Sequence, residues 1–304
     1  MSTTRTFLIA LAVAAILALF PLAVSGYVLG LLTLAYYFGV FAMSWDLLFG
    51  FAGEVNFGPS FLVGLGAYTA GLLNHYQHWS IPVCVVAGAV VAVAGGLLLA
   101  VPALRLHGPY FGLITLVAVL LLQNAIVLFA GLTGGEIGLD IPDVLSIDDS
   151  TNYWIALGFM TVSGAILFGL SRSAVGLILQ ASGQDAMQAA ALGFNVTKHK
   201  LAAFVVSALF SGLAGAMLIF YMGTASVGTV VDIAVGVQVI IAAVMGGRRT
   251  ILGAALGAVF LIVAGEMLRP LGELSTLVVS TVALLVILFF PGGFLGTALR
   301  TSDR

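Results

Sequence analysis

Apolar residues run in blocks along this chain, at 7–24, 27–49, 57–73, 81–101, 110–131, 153–170, 201–222, 233–246, 251–267 and 274–290. An α-helix needs about 20 predominantly apolar residues to cross the hydrocarbon core of a bilayer, and most of these blocks are near that length. The blocks at 57–73 and 233–246 are the shortest and weakest. The pattern predicts an all-α polytopic membrane protein with about ten transmembrane helices, some short or discontinuous, forming one membrane domain over residues 1–304. Two polar stretches interrupt it, an acidic one at 132–151 and a longer one at 171–200, SRSAVGLILQASGQDAMQAAALGFNVTKHK.

Basic residues give the blocks a direction. With the N-terminus inside, ten crossings place Arg5, Arg105, Arg172, Lys198, Lys200, Arg248, Arg249, Arg300 and Arg304 on the cytoplasmic side and only Arg269 outside, as the excess of Lys and Arg in cytoplasmic loops requires. Both termini are then cytoplasmic. The 171–200 stretch is a cytoplasmic loop, and 132–151, with Glu136, Asp140, Asp143, Asp148 and Asp149, lies outside.

Composition narrows the function classes. Hydrophobic residues are 62% of 304 positions and charged residues 7%, a balance no soluble domain shows. A net charge of −2 with scattered basic residues leaves no electrostatic footprint for nucleic acid. Cys84 is the single cysteine, so no disulfide framework exists. His75 and His78 could share a helical face but lack a third ligand, and no metal site is expected. Nothing in the sequence arranges a serine, a histidine and an acid for catalysis, and no catalytic residue is assigned. Paired small residues, Gly88 with Ala92, Gly95 with Gly96, Gly212 with Ala216 and Gly253 with Gly257, suit helices that approach closely in lipid.

Two carboxylates fall where a bundle should not carry them idly. Asp46 lies near the inner end of the second block, and Glu54 follows in GFAGEVNFGPSF. A charge at membrane depth costs a few kcal/mol unless it meets protein, water or a cation. Gly50, Gly53, Gly58 and Pro59 argue against an unbroken helix there. The break is either a cytoplasmic turn with a solvated Glu54 or a re-entrant segment lining a solute path. Asn56, Ser60, Tyr68 and Thr69 extend the polar set into the third block. Together with Asp46 and Glu54 they are the substrate-pathway candidates.

Within the 171–200 loop, a helix is expected over 179–192. Gln180, Gln184 and Gln188 recur every four residues on one side, with Val175, Leu179, Ala186 and Ala190 near the other. Gly193 and Asn195 are its expected stop. Small residues on such a helix permit close docking to a soluble partner. The chain has no GxxxxGK[ST] nucleotide motif of its own.

Six blocks carry a family resemblance by their order and spacing: WDLLFGFAGEVNFGPSFLVGLGAYTAGLL at 45–73, LRLHGPYFGLITLVA at 104–118, LTGGEIGL at 132–139, AAALGFNVTKHKLAAFVVSALFSGLAGAM at 189–217, MGGRRTILGAALGAV at 245–259 and FPGGFLG at 290–296. The chain resembles the LivM-type permease subunits of bacterial branched-chain amino acid ATP-binding-cassette importers. The resemblance implies an inner-membrane complex with a second homologous permease, two cytoplasmic ATPase subunits and an extracytoplasmic solute-binding protein. ATP and Mg would be held by the ATPases, with no cofactor in this chain. It also implies that the coupling helix maps onto 183–193, with Gln184, Asp185, Gln188, Ala189 and Gly193 as ATPase-coupling candidates. The family typically has Gln at the position of Glu54, Gly-His at Gly58-Pro59, and often Asn at Asp46. The cargo implied is a branched-chain amino acid or a related small polar solute. Urea or short amides carried by the same type of complex are the alternative, and a standalone ion-coupled carrier is a more distant one.

Overall fold

The computed structural model describes residues 12–24, 26–104 and 109–272, with isolated positions beyond. Most of the tenth apolar block, the 290–296 motif, and Arg5, Arg105, His107, Arg300 and Arg304 lie outside the described residues. In chain order the helices are α1 (Ala12–Leu22), α2 (Tyr27–Asp46), α3 (Pro59–Gln77), α4 (Ile81–Ala103), α5 (Pro109–Leu128), α6 (Ala130–Thr133), α7 (Asp149–Arg172), α8 (Ala174–Gln184), α9 (Ala186–Ala191), α10 (Val196–Met222), α11 (Val227–Val230), α12 (Ile233–Gly246) and α13 (Ile251–Met267). Two short strands, β1 (Leu139–Asp140) and β2 (Thr224–Ala225), pair antiparallel with Leu139 opposite Ala225.

Six helical segments among the described residues are long and apolar enough to cross a membrane: 27–51, 81–103, 110–128, 149–172, 196–222 and 227–246. The last joins α11 and α12, which lengthens the weak eighth block. The weak third block forms the 19-residue α3. Most of α3 is buried, and a helix wrapped by protein needs less apolar character than one facing lipid. Its ends follow from local chemistry. Pro59 occupies the first turn, where a missing N–H costs nothing, and His78 adopts a left-handed conformation while its N–H donates to the Asn74 carbonyl at 3.1 Å. By contrast, α4 turns Val83, Val86 and Val90 outward, and α5 does the same with Leu113, Val117 and Leu121. Exposed rows of this kind suit a lipid solvent.

The described residues divide into two compact units. One gathers the described parts of Met1–Asp46, Ser146–Gly169 and Ile240–Arg304. Here α2 packs along α13, and the Tyr36 and Tyr153 hydroxyls share a hydrogen bond of 2.8 Å beneath edge-on rings. The turn from α12 to α13 closes so tightly that a Cβ on Gly246 would fall 1.8 Å from the Gly253 carbonyl oxygen.

The other unit holds Leu47–Leu145 and Leu170–Val239. Its core is the packing of α3, α4 and α10, with backbone on backbone. A Cβ on Gly66 would lie 2.3 Å from the Gly212 oxygen, and one on Gly88 2.5 Å from the Gly66 oxygen. Small residues permit this approach where lipid gives little reward for helix association. The strand pair ties the start of the acidic stretch to the end of α10, and Ile141 N–H extends the tie to the Gly223 carbonyl at 3.0 Å.

Candidate functional site

The break after α2 is real. From Leu47 to Phe51 the backbone widens into a π-helical turn, with Ala52 N–H reaching back to the Leu47 carbonyl at 3.3 Å. Wide turns of this kind recur at functional sites. Gly53 then takes φ +73°, a left-handed conformation disfavoured for other residues, and the chain runs irregularly to Pro59. Asn56 steadies this stretch, since its Oδ1 accepts from Gly58 N–H at 2.8 Å. Phe57 N–H donates to Thr115 Oγ1 on α5 at 3.0 Å.

The 171–200 segment packs onto that break. Ser173 caps α8, its Oγ accepting from Gly176 N–H, and α8 ends beside the turn. A Cβ on Gly183 would fall 2.6 Å from the Phe51 oxygen, and one on Gly53 2.8 Å from the Gly183 Cα. The two backbones therefore touch with no room for a side chain at either position. The single helix expected over 179–192 is divided. Asp185 is extended, and its Oδ1 accepts from Met187 and Gln188 N–H at 2.9 and 3.0 Å, so it caps a separate α9. Gly193, at φ +90°, turns the chain after α9, and Asn195 caps α10 through Lys198 N–H at 2.9 Å.

Between the break, α8, α9 and the first turn of α10 lies a cavity of about 620 Å³. Lys200 Nζ donates to Glu54 Oε1 at 2.6 Å on its wall, with the two side chains only 15% and 19% exposed. Gly53 and Gly183 contribute backbone, and Val55, Phe57, Leu104 and Val196 contribute apolar surface. Ser182 also lines it, and its buried hydroxyl has no partner among the described residues.

The sequence-derived candidates are distributed unevenly. Glu54 and Gln184 meet at the cavity. Asn56 is a buried turn-former, while Ser60 and Tyr68 are buried on α3 with hydroxyls that have no partner among the described residues. Thr69 is half-buried on the same helix. Asp46 belongs to the other unit. It is fully buried, and its Oδ1 accepts from Arg249 N–H at 3.1 Å in the turn before α13. Gln184, Gln188 and Gly193 are exposed and Asp185 half-buried. Ala189 is 2% exposed, while the apolar side chains that this segment turns outward include Met187 at 83%, Leu192 at 75% and Leu177 at 62%.

Lys200 and Ser182 were not legible as site residues. Lys200 meets Glu54 across 146 positions of sequence, and neither local pattern nor spacing signals that contact. No group of His, Cys, Asp and Glu among the described residues could hold a metal ion.

Long apolar helices broken by glycine, with carboxylates buried against protein, define a multi-pass membrane protein of the all-α class. The profile of the branched-chain amino acid transport system permease component matches residues 27–291, and the chain belongs to that family. It is 27% identical to the high-affinity branched-chain amino acid transport system permease protein LivM of Salmonella typhimurium, over 97% of this chain and 76% of the relative. The Escherichia coli LivM is 28% identical over 96% of this chain and 75% of the relative. The permease protein BraD of Pseudomonas aeruginosa is 26% identical over 87% and 93%. The chain is a permease of the bacterial inner membrane and crosses it several times.

Proposed function

We propose that the chain is one permease subunit of an ATP-driven importer for branched-chain amino acids or a related small polar solute, and that it contributes to the translocation path. In this reading residues 1–304 are one permease domain of about ten crossings with both termini cytoplasmic. The 171–200 segment is the cytoplasmic coupling loop and 132–151 an acidic loop on the outer face. A second homologous permease, two ATPases that supply ATP and Mg chemistry, and a solute-binding protein complete the assembly. The chain itself carries no catalysis.

The observation that carries the coupling step is the seat of α8 and α9. Their outward side offers Met187 and Leu192 to a partner, while their inward side sets the Gly183 backbone against Phe51 and Gly53. Force applied to α9 would therefore reach the broken segment through a contact too tight to absorb it, since close-packed interiors transmit strain. Opening or closing the path at 47–58 is the proposed consequence. Asp46, Glu54, Asn56, Ser60, Tyr68 and Thr69 remain the proposed pathway set, with Asp46 also holding the turn before α13.

The test is affinity purification of the chain from its native membrane, followed by ATP-driven uptake of radiolabelled L-leucine in proteoliposomes. Recovery of a second permease and ATPase chains is expected. Replacing Met187 and Leu192 together with serine should release the ATPases and abolish uptake while the chain stays folded. Uptake by the chain alone, driven by an ion gradient and indifferent to ATP, would overturn the reading.

A further inference from the structure

We propose that the cavity beside Glu54 and Lys200 is a binding site for an α-amino acid zwitterion with an aliphatic side chain, entered from the side of the 171–200 segment. The proposal rests on the reading of the chain as an amino acid permease and adds a solute site to it. The charges are the first argument. Glu54 and Lys200 close on each other at 2.6 Å while both border the cavity. A zwitterion can replace that pair without leaving either charge alone, its ammonium going to the Glu54 carboxylate and its carboxylate to the Lys200 ammonium. An ion or a neutral amide would satisfy only one member and strand the other in a largely buried place, which is costly.

The walls are the second argument. Val55, Phe57, Leu104 and Val196 line the space with apolar surface, and about 620 Å³ lies within the range of small-molecule pockets, about 300–1,000 Å³. Urea, with no apolar side chain, would gain nothing from them. The hydroxyl of Ser182, without a partner among the described residues, is a further polar group in the wall.

Position gives the site a consequence. Its walls come from the break and from the end of α8, the two pieces whose backbones touch at Gly53 and Gly183. A solute bridging Glu54 and Lys200 would hold α10 and the break together and resist the next movement of α8 and α9. Accumulated cargo would then slow its own import.

The experiment is equilibrium binding of radiolabelled L-leucine to the full chain in lipid nanodiscs, without a solute-binding protein. Saturable binding is expected, and Lys200→Met and Glu54→Gln should each weaken it about ten-fold or more, as loss of a charge-assisted hydrogen bond would. Ala186→Phe, which fills the cavity from α9 and leaves the ion pair alone, should weaken it too, so one misfolded variant does not decide the matter. Leucinamide and 4-methylpentanoate, each lacking one charge, should compete poorly. Absence of saturable binding, indifference to all three substitutions, or equal competition by the singly charged analogues would overturn the site. ATP-driven uptake by the unmodified complex is assayed alongside. Uptake without this binding removes the site and leaves the importer standing, whereas binding without uptake does the reverse.

Discussion

Asp46 and Glu54 are close in sequence, share a charge and flank the same break, yet each belongs to a different unit and meets a different environment. Asp46 is sealed in protein and spends one oxygen on the Arg249 N–H, where it holds the turn that leads into α13. Glu54 stands on a cavity wall with a lysine as its partner and keeps some access to solvent. The difference teaches that a carboxylate at membrane depth has two uses. It can accept from a backbone N–H, as Asp46 does, or it can pair with a basic side chain on a cavity wall, as Glu54 does.

The largest effect on this contrast is expected at its hinge. Gly53→Val places a β-branched residue at φ +73° with its Cβ against the Gly183 backbone. Strain and overpacking together should cost about 3 kcal/mol or more, read as a lower midpoint in detergent-titrated unfolding. An unshifted midpoint would mean that α8 and the break are not in rigid contact.

Asp46→Ala comes next. It removes the carboxylate oxygen that accepts from the part-buried Arg249 N–H and should destabilise the chain by about 1–3 kcal/mol in the same assay. If uptake falls and stability does not, Asp46 serves the solute and the contrast with Glu54 collapses.

Glu54→Gln should change stability by less than Asp46→Ala, because the Gln amide oxygen can still accept from the Lys200 ammonium where Ala offers no acceptor. L-leucine uptake should nevertheless drop. A variant that is destabilised but transports normally would reverse the two roles.

The smallest effect concerns a third carboxylate, Asp148, on the surface just before α7. The Thr151 hydroxyl and backbone N–H both donate to it, at 2.7 and 2.8 Å, and hold its carboxyl below the usual value of 3.8. A depressed value means stability that is present above the unfolded pKa and lost as pH falls through the folded one. Thermal midpoints measured from about pH 5 down to about pH 3 should therefore decline by slightly less in Thr151→Ala than in the unaltered chain. Equal declines would show that this cap has no part in acid sensitivity, and that a buried or paired carboxylate has to be sought as its source.

Much of the architecture was legible along the chain because lipid imposes length and hydropathy on each crossing helix. The π-helical break was signalled by Gly50, Gly53, Gly58 and Pro59, and the stop of the helical stretch within 171–200 by Gly193 and Asn195. The split between α8 and α9 was harder to see. Composition over 179–192 favours helix throughout, and the competing event is a cap formed when Asp185 turns its carboxylate onto the next two N–H groups.

What the sequence determined by itself is the class of molecule, the number and spacing of its apolar blocks, the places where helices cannot continue, and the family. These depend on hydropathy, backbone freedom and local hydrogen bonding, which act over a few residues. Only the tertiary structure decided that Lys200 answers Glu54, that Arg249 N–H answers Asp46, and that Gly183 rests on Phe51 and Gly53. Those contacts join residues distant in sequence, and chain folding brings them together through packing that no local pattern encodes.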